Sequence, residues 1–287
     1  LKKRFIYTGA RAGQIEDCDF AYSVMDTPFP RDIVGEVVSA GRQRGLGIGL
    51  YYSHWDWYDA DFRWSGIGQV PYDPDFSPQS DPEGYWRFLR RYQDQITELL
   101  TWYGKVDVFE FDCEPRGTYP AFRDRQIRDW NRLWPDIKQV IKKARKLQPD
   151  VLFRERGIGS YGDFHTPEWT IPDDPNVCEY TKNVRVGQVI YPCWDESAEW
   201  LLEKLIDVVA KGGNLQIGYL PLSSGAFAIE HEDRLRYLGR WLRVNGEAIY
   251  ATRPLPGGQF ADGENVRLTR SKDGRFVYAI ALKWPGE

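Results

Sequence analysis

Four carboxylates, Asp107, Glu110, Asp112 and Glu114, stand at every second or third position of KVDVFEFDCEPRG (105–117), which otherwise reads as a buried β-strand. A carboxylate stripped of water needs a partner or takes up a proton, so acids in such a run call for an explanation. Strand alternation sorts them: Glu110 and Asp112 share one face, Phe109 and Phe111 the other. The run DVLFRERG (150–157) has the same parity, with Arg154 and Arg156 on one face and Phe153 and Glu155 on the other. As neighbours, the two strands would pair Glu110 with Arg154 in a deep layer and Asp112 with Arg156 at the rim. Asp107 then reads as local structure, Glu110 as scaffolding and Asp112 as the acid placed for reaction. Glu114, just past the strand, is close enough to touch a substrate.

An arginine beside Asp112 favours the ionised form, as a nucleophile requires. A second carboxyl group must stay protonated to donate to a leaving oxygen. GSYGDFHTPEW (159–169) offers Glu168 among Phe164, Pro167 and Trp169, with Asp163 and His165 as rivals. Two carboxyl groups flanking one bond describe glycoside hydrolysis, with Asp112 and Glu168 as the pair. Aromatic content points the same way. The chain is 15% aromatic, with 12 Trp and 17 Tyr, and many rings crowd the loop SHWDWYDADFRW (53–64), which holds Trp57. Rings beside acids suit a sugar, whose C–H faces stack while its hydroxyls bond to carboxylates. His54, at a strand end, reads either as a substrate ligand or as a structural histidine.

Other chemistries fit poorly. The three histidines (His54, His165, His231) have no metal-ligand spacing, and no cofactor is implied. LSSG (222–225) and Cys113 lack an evident partnering base. The net charge of −4 gives no reason to expect nucleic acid, and the basic run KKARK (142–146) reads as the wet face of a helix. No stretch of about 18 apolar residues suggests a membrane span. The four cysteines are scattered without a disulfide framework, so the compartment stays open. The chain starts at Leu1 and stops just after an apolar run, and both ends are expected to be cut.

Short apolar runs alternate with amphipathic helices along the 287 residues. RFIYT (4–8), LGIGLYYS (46–53), VDVFEFD (106–112), DVLFRERG (150–157), NVCEYT (176–181), VGQVIYP (186–192) and NLQIGYLP (214–221) read as strands. Helices are expected over RDIVGEVVSAGRQRG (31–45), from Asp81-Pro82 to Gly104, over a stretch interrupted near Pro135, around Leu201–Val209, and over Leu235–Val244. Repeated strand–helix units imply parallel strands joined by right-handed crossovers. No glycine-rich phosphate loop follows the first strand, and polar residues recur at strand C-terminal ends. The expected fold is therefore an α/β (β/α)₈ TIM-like barrel lacking its first strand region. The barrel is assigned to residues 1–250. Residues 251–287, with strands NVRLTR and RFVYAIAL around SKDG, read as the beginning of a C-terminal β-sandwich domain.

These residues carry a family resemblance. From about Phe5 onward the chain resembles the α-L-fucosidases of glycoside hydrolase family twenty-nine. The shared motifs are MDTPFPRDIVGE, GLYYSHWDW, FEFD, RERG with GDFHTPE, LIDVVAKGGNL and LGRWLRVNGEAIYATRP, in matching order. The resemblance implies a retaining exo-glycosidase acting on terminal fucose of glycoconjugates, on a barrel followed by a β-sandwich. It implies Asp112 as nucleophile, Glu168 as acid/base and Arg156 as substrate-binding, with sugar contact from Tyr52, or alternatively Tyr51. A secreted, periplasmic or lysosomal location would fit the family. There are departures. Where the family carries Lys-His-His-Asp-Gly-Phe, this chain reads IYTGARAGQIED, with Arg11 and Ala12 near the two histidines. Glu110 replaces a tryptophan, and the run after GGN is altered. Arg11 would favour a charged or differently substituted glycoside. The alternatives are hydrolysis of a different sugar, or a catalytically silent carbohydrate-binding relative.

Overall fold

The computed structural model describes residues 24–54, 56, 59–63, 73, 75–76, 78–112, 130–168, 188–192, 196–219 and 221–283. The expected strands RFIYT and NVCEYT lie outside the described residues, as do Arg11, Trp57 and Glu114. Two compact units divide between Asp163 and Phe164.

The first unit alternates helix and strand: α1 (Ile33–Gln43), β1 (Gly49–Ser53), α2 (Pro82–Thr101), β2 (Val108–Asp112), α3 (Trp130–Leu147) and β3 (Leu152–Phe153). The strands form one parallel sheet in the order β1-β2-β3, with Tyr51 opposite Glu110, Ser53 opposite Asp112 and Phe109 opposite Phe153. Parallel pairing needs a crossover between consecutive strands, and α2 and α3 supply it. One face of the sheet, carrying Leu50, Tyr52, Phe109, Phe111 and Phe153, is buried with Phe88, Leu89, Tyr92, Ile96, Val140 and Ile141 of the two helices. Each such large side chain contributes roughly 1.5–3 kcal/mol when fully buried. The opposite face is free to carry polar groups.

The helix boundaries follow from capping chemistry. Asp81 caps α2, its side chain accepting from Gly84 N at 2.9 Å, with Pro82 in the first turn where a missing N–H costs nothing. The helix stops before Gly104, whose φ of 71° suits a residue without Cβ. One expectation is corrected. α3 runs from Trp130 to Leu147 with Pro135 in its second turn, so the loss of one backbone bond there does not end the helix. In α1, Val38 is buried, whereas Ile33 and Val37 are exposed.

In the second unit β4 (Gln188–Pro192) and β5 (Asn214–Gly218) pair in parallel, with α4 (Ala198–Ala210) between them in sequence. α5 (Ile229–Asn245) starts six residues before Leu235, the expected start. An antiparallel sheet then joins β6 (Thr252–Arg253), β7 (Ala261–Asp262), β8 (Val266–Ser271) and β9 (Val277–Ala281). Ile206 of α4 shares a core with Ala248, Ile249 and Ile280, and Arg267 of β8 bonds to Asp207 of α4. The described residues thus form an α/β arrangement with two parallel sheets and a C-terminal antiparallel one.

Candidate active site

The polar face of the β1-β2-β3 sheet carries the two expected tiers. Arg156 Nη1 donates to Asp112 Oδ1 at 2.8 Å, and Arg154 Nη1 lies 3.4 Å from Glu110 Oε2. Both pairs arise because β2 and β3 run parallel in register, so residues 110 and 112 meet residues 154 and 156. Arg154 is buried, and that burial together with the neighbouring Arg156 charge lowers its pKa, while Asp112, Glu110 and Glu155 oppose the shift. Asp112 closes β2 at its C-terminal end, the end at which parallel α/β sheets build their sites.

The tyrosine choice is corrected. Tyr52 points into the core, 7% exposed, with its hydroxyl donating to Gln95 Oε1 of α2. Tyr51 is 55% exposed and its hydroxyl donates to Asp112 Oδ2 at 2.8 Å. Register explains this: Tyr52 lies opposite Phe111 and shares the core face, whereas Tyr51 lies opposite Glu110 and shares the polar face. The alternation that sorted the acids was legible in GLYYS and would have selected Tyr51. Each oxygen of Asp112 therefore accepts from at least one donor, and charge-assisted bonds of this kind hold a carboxylate firmly in place.

His54 is buried and makes structural contacts with both ring nitrogens. It is 1% exposed, and its ring stacks on Phe111 with centroids 4.8 Å apart. Nε2 lies 2.9 Å from the backbone carbonyl of Arg156, an obligate acceptor, so Nε2 carries the proton and Nδ1 accepts from the Tyr92 hydroxyl at 2.8 Å. Burial lowers its pKa to about 4, so the ring is neutral near neutrality. The His54 backbone N–H donates to the Asp112 carbonyl at 3.1 Å. Gly157, with φ 71°, admits the ring: a Cβ there would stand 2.5 Å from Nε2. His54 thus braces the backbone of both Asp112 and Arg156.

Asp163, one rival for the acid, is committed elsewhere, since its Oδ2 accepts from Phe153 N at 2.7 Å and from Arg145 Nη2 at 2.8 Å. Asp107 is local structure, accepting from Ile48 N at 2.8 Å, and that bond lowers its pKa. Glu168 and His165 are half-buried residues of the second unit. Sequence reasoning missed the anchor beneath the aromatic loop. Arg91 of α2, fully buried, donates to both oxygens of Asp59 at 2.6 Å and to Asp61 Oδ2 at 2.5 Å, and Arg87 also binds Asp61. Nothing in the spacing of these residues foretells their meeting.

Comparison with known proteins follows the same line. The alpha-L-fucosidase family profile matches residues 16–247. The chain is 40% identical to human plasma alpha-L-fucosidase over 273 residues, covering 92% of this chain and 54% of that protein. It is 26% identical to the rat plasma enzyme over 274 residues, covering 92% and 55%. It spans about half the length of these relatives. Among solved structures, a bacterial fucosidase with an iminocyclitol inhibitor superposes with a TM-score of 0.73 at 21% identity, covering 98% of this chain and 63% of that one. A trapped covalent intermediate of a Bacteroides thetaiotaomicron alpha-L-fucosidase, formed with 2-fluoro-fucosyl fluoride, superposes with a TM-score of 0.70 at 20% identity, covering 94% and 61%. Since the family profile spans most of its length, the chain belongs to the alpha-L-fucosidase family.

Proposed function

We propose that this chain is the catalytic part of a retaining exo-glycoside hydrolase that removes terminal α-L-fucose from glycoconjugates. The observation that carries the reading is Asp112 at the end of a parallel strand, held on one oxygen by Tyr51 and on the other by Arg156. In the first step the Asp112 carboxylate attacks the anomeric carbon. The bond to the leaving oxygen breaks as Glu168 gives that oxygen its proton. In the second step Glu168 takes a proton from water, the water oxygen attacks the same carbon, and Asp112 leaves with the configuration retained. The covalent intermediate named for the Bacteroides thetaiotaomicron relative supports this two-step course.

The remaining assignments belong to the same reading. Arg156 orients both the nucleophile and the sugar. Tyr51 takes the sugar-contact role first given to Tyr52, and His54 acts through Arg156. Trp57, Arg11 and Glu114 complete the substrate surface. Residues 1–250 form the barrel domain and residues 251–287 open a β-sandwich. The reaction needs no cofactor.

A panel of aryl glycosides offered to the full-length enzyme, with the anomeric configuration of the first product followed by NMR, tests the proposal. Release of fucose with retention is the expected result. Binding of fucose without turnover of any glycoside would point instead to a silent carbohydrate-binding relative and overturn it.

A further inference from the structure

We propose that Glu110 is a specificity-determining residue whose open carboxylate oxygen accepts a hydrogen bond from a hydroxyl of the bound sugar. The inference rests on Asp112 being the nucleophile of a glycoside hydrolase, and it adds a substrate requirement to that reading.

Glu110 stands two residues before Asp112 on the same strand and the same face, about 6.5 Å away along the strand, within the span of one sugar ring. Tyr51 lies opposite it in register and reaches past it to Asp112, so Glu110, Tyr51 and Asp112 form one continuous patch. An acid serving only to neutralise Arg154 would turn both oxygens to the guanidinium and be closed from water. Glu110 does neither. Oε2 alone meets Arg154, at 3.4 Å, and the glutamate side chain is 20% exposed while that of the arginine is 3% exposed. Among the described residues, Oε1 has no hydrogen-bond partner. The buried guanidinium holds Oε2, while the glutamate side chain keeps part of its surface open to solvent.

A sugar seated on Asp112 displaces the water over Oε1. A carboxylate oxygen losing water without gaining a donor is strongly penalised, so the complex favours a ligand with a hydroxyl at that edge over its deoxy counterpart. Discrimination of this type is large because the penalty falls on the site as well as on the ligand.

The test compares the full-length enzyme with its Glu110→Gln and Glu110→Leu variants. Substrates are the aryl α-L-fucoside, its 2-, 3- and 4-deoxy analogues, and the aryl α-L-galactoside, which carries one more hydroxyl on C6. Melting temperatures verify that each variant folds. Glu110→Leu is expected to lower kcat/KM about 10- to 100-fold on substrates bearing the relevant hydroxyl. The loss should nearly vanish for the one substrate lacking it, and Glu110→Gln should keep part of the activity through its amide oxygen. An equal loss on every substrate, or no loss on any, overturns the proposal. Dissociation constants of free L-fucose and L-galactose, measured by NMR titration, separate this proposal from the broader one. Sugar binding that depends on Glu110 without hydrolysis overturns the hydrolase and sustains the subsite. Hydrolysis indifferent to Glu110 does the reverse, and absence of both hydrolysis and binding overturns the two together.

Discussion

The Nε2–H of His54 donates to the backbone carbonyl of Arg156 across 2.9 Å, tying the end of one strand to the arginine that holds Asp112. Replacing His54 by Gln should lower kcat/KM about 10-fold or more, because a small displacement of a catalytic group is costly. The effect should also be visible against pH. Burial lowers the folded-state pKa to about 4, below that of an unfolded histidine near 6.5. Between these values the unfolded state binds the extra proton, so this contribution to stability is present above about pH 6.5 and is lost as pH falls towards 4. Thermal melts from pH 4 to 7 should show a shallower dependence for His54→Gln than for the wild type.

Asp112→Ala should reduce turnover of an activated aryl fucoside by about a thousandfold or more, as loss of a nucleophile does. Added azide should restore part of the rate by entering the vacated space and forming a glycosyl azide. Undiminished activity in the variant would remove Asp112 from the mechanism.

The two adjacent tyrosines should separate cleanly. Tyr51→Phe removes one donor from Asp112 and should cost about 10-fold in kcat with little change in melting temperature. Tyr52→Phe removes the hydrogen bond to Gln95 inside the core. It should cost about 1 kcal/mol of stability and leave kcat close to the wild-type value. Kinetics and calorimetry on the same two variants read both effects.

Glu98 of α2 is buried, and among the described residues neither of its carboxylate oxygens has a hydrogen-bond partner. Burial, reinforced by the Asp32 charge, pushes its pKa up to about 8. An unfolded glutamate ionises near 4.3, so the folded state retains a proton that the unfolded state has lost. Stability therefore declines as pH rises from about 4 to about 8. Glu98→Gln should flatten that decline, and Glu98→Leu should raise the melting temperature at pH 8 by roughly 2–4 °C.

Arg91→Met takes the bidentate cation from buried Asp59 and leaves Asp61 with Arg87, and should destabilise the protein by about 3–5 kcal/mol. Activity at low temperature should fall as well, since the same pair roots the loop that follows β1. Urea titration and kinetics below the melting range distinguish the two contributions.

Alternation in two short runs placed Glu110 and Asp112 on one face and Arg154 and Arg156 on the matching face. A period of two is a local property of an extended chain and needs no knowledge of neighbours. Helix ends were equally legible, because Asp81, Pro82 and Gly104 act through their own backbone geometry. Motif order carried the family resemblance. The fate of each polar group depended on contacts distant in sequence. Register across β1 and β2 decided that Tyr51, and not Tyr52, reaches Asp112. Packing of α2 against β1 buried His54 and made it a brace between Tyr92 and Arg156. The single, open contact between Glu110 and Arg154 turned an acid that reads as scaffolding into a candidate for recognition. Sequence by itself determined which side chains share a face, since covalent geometry sets that. Tertiary structure alone decided which of them meet a partner and which stay open to a ligand, since those contacts bridge 44 residues between Asp112 and Arg156 and 61 between Tyr51 and Asp112.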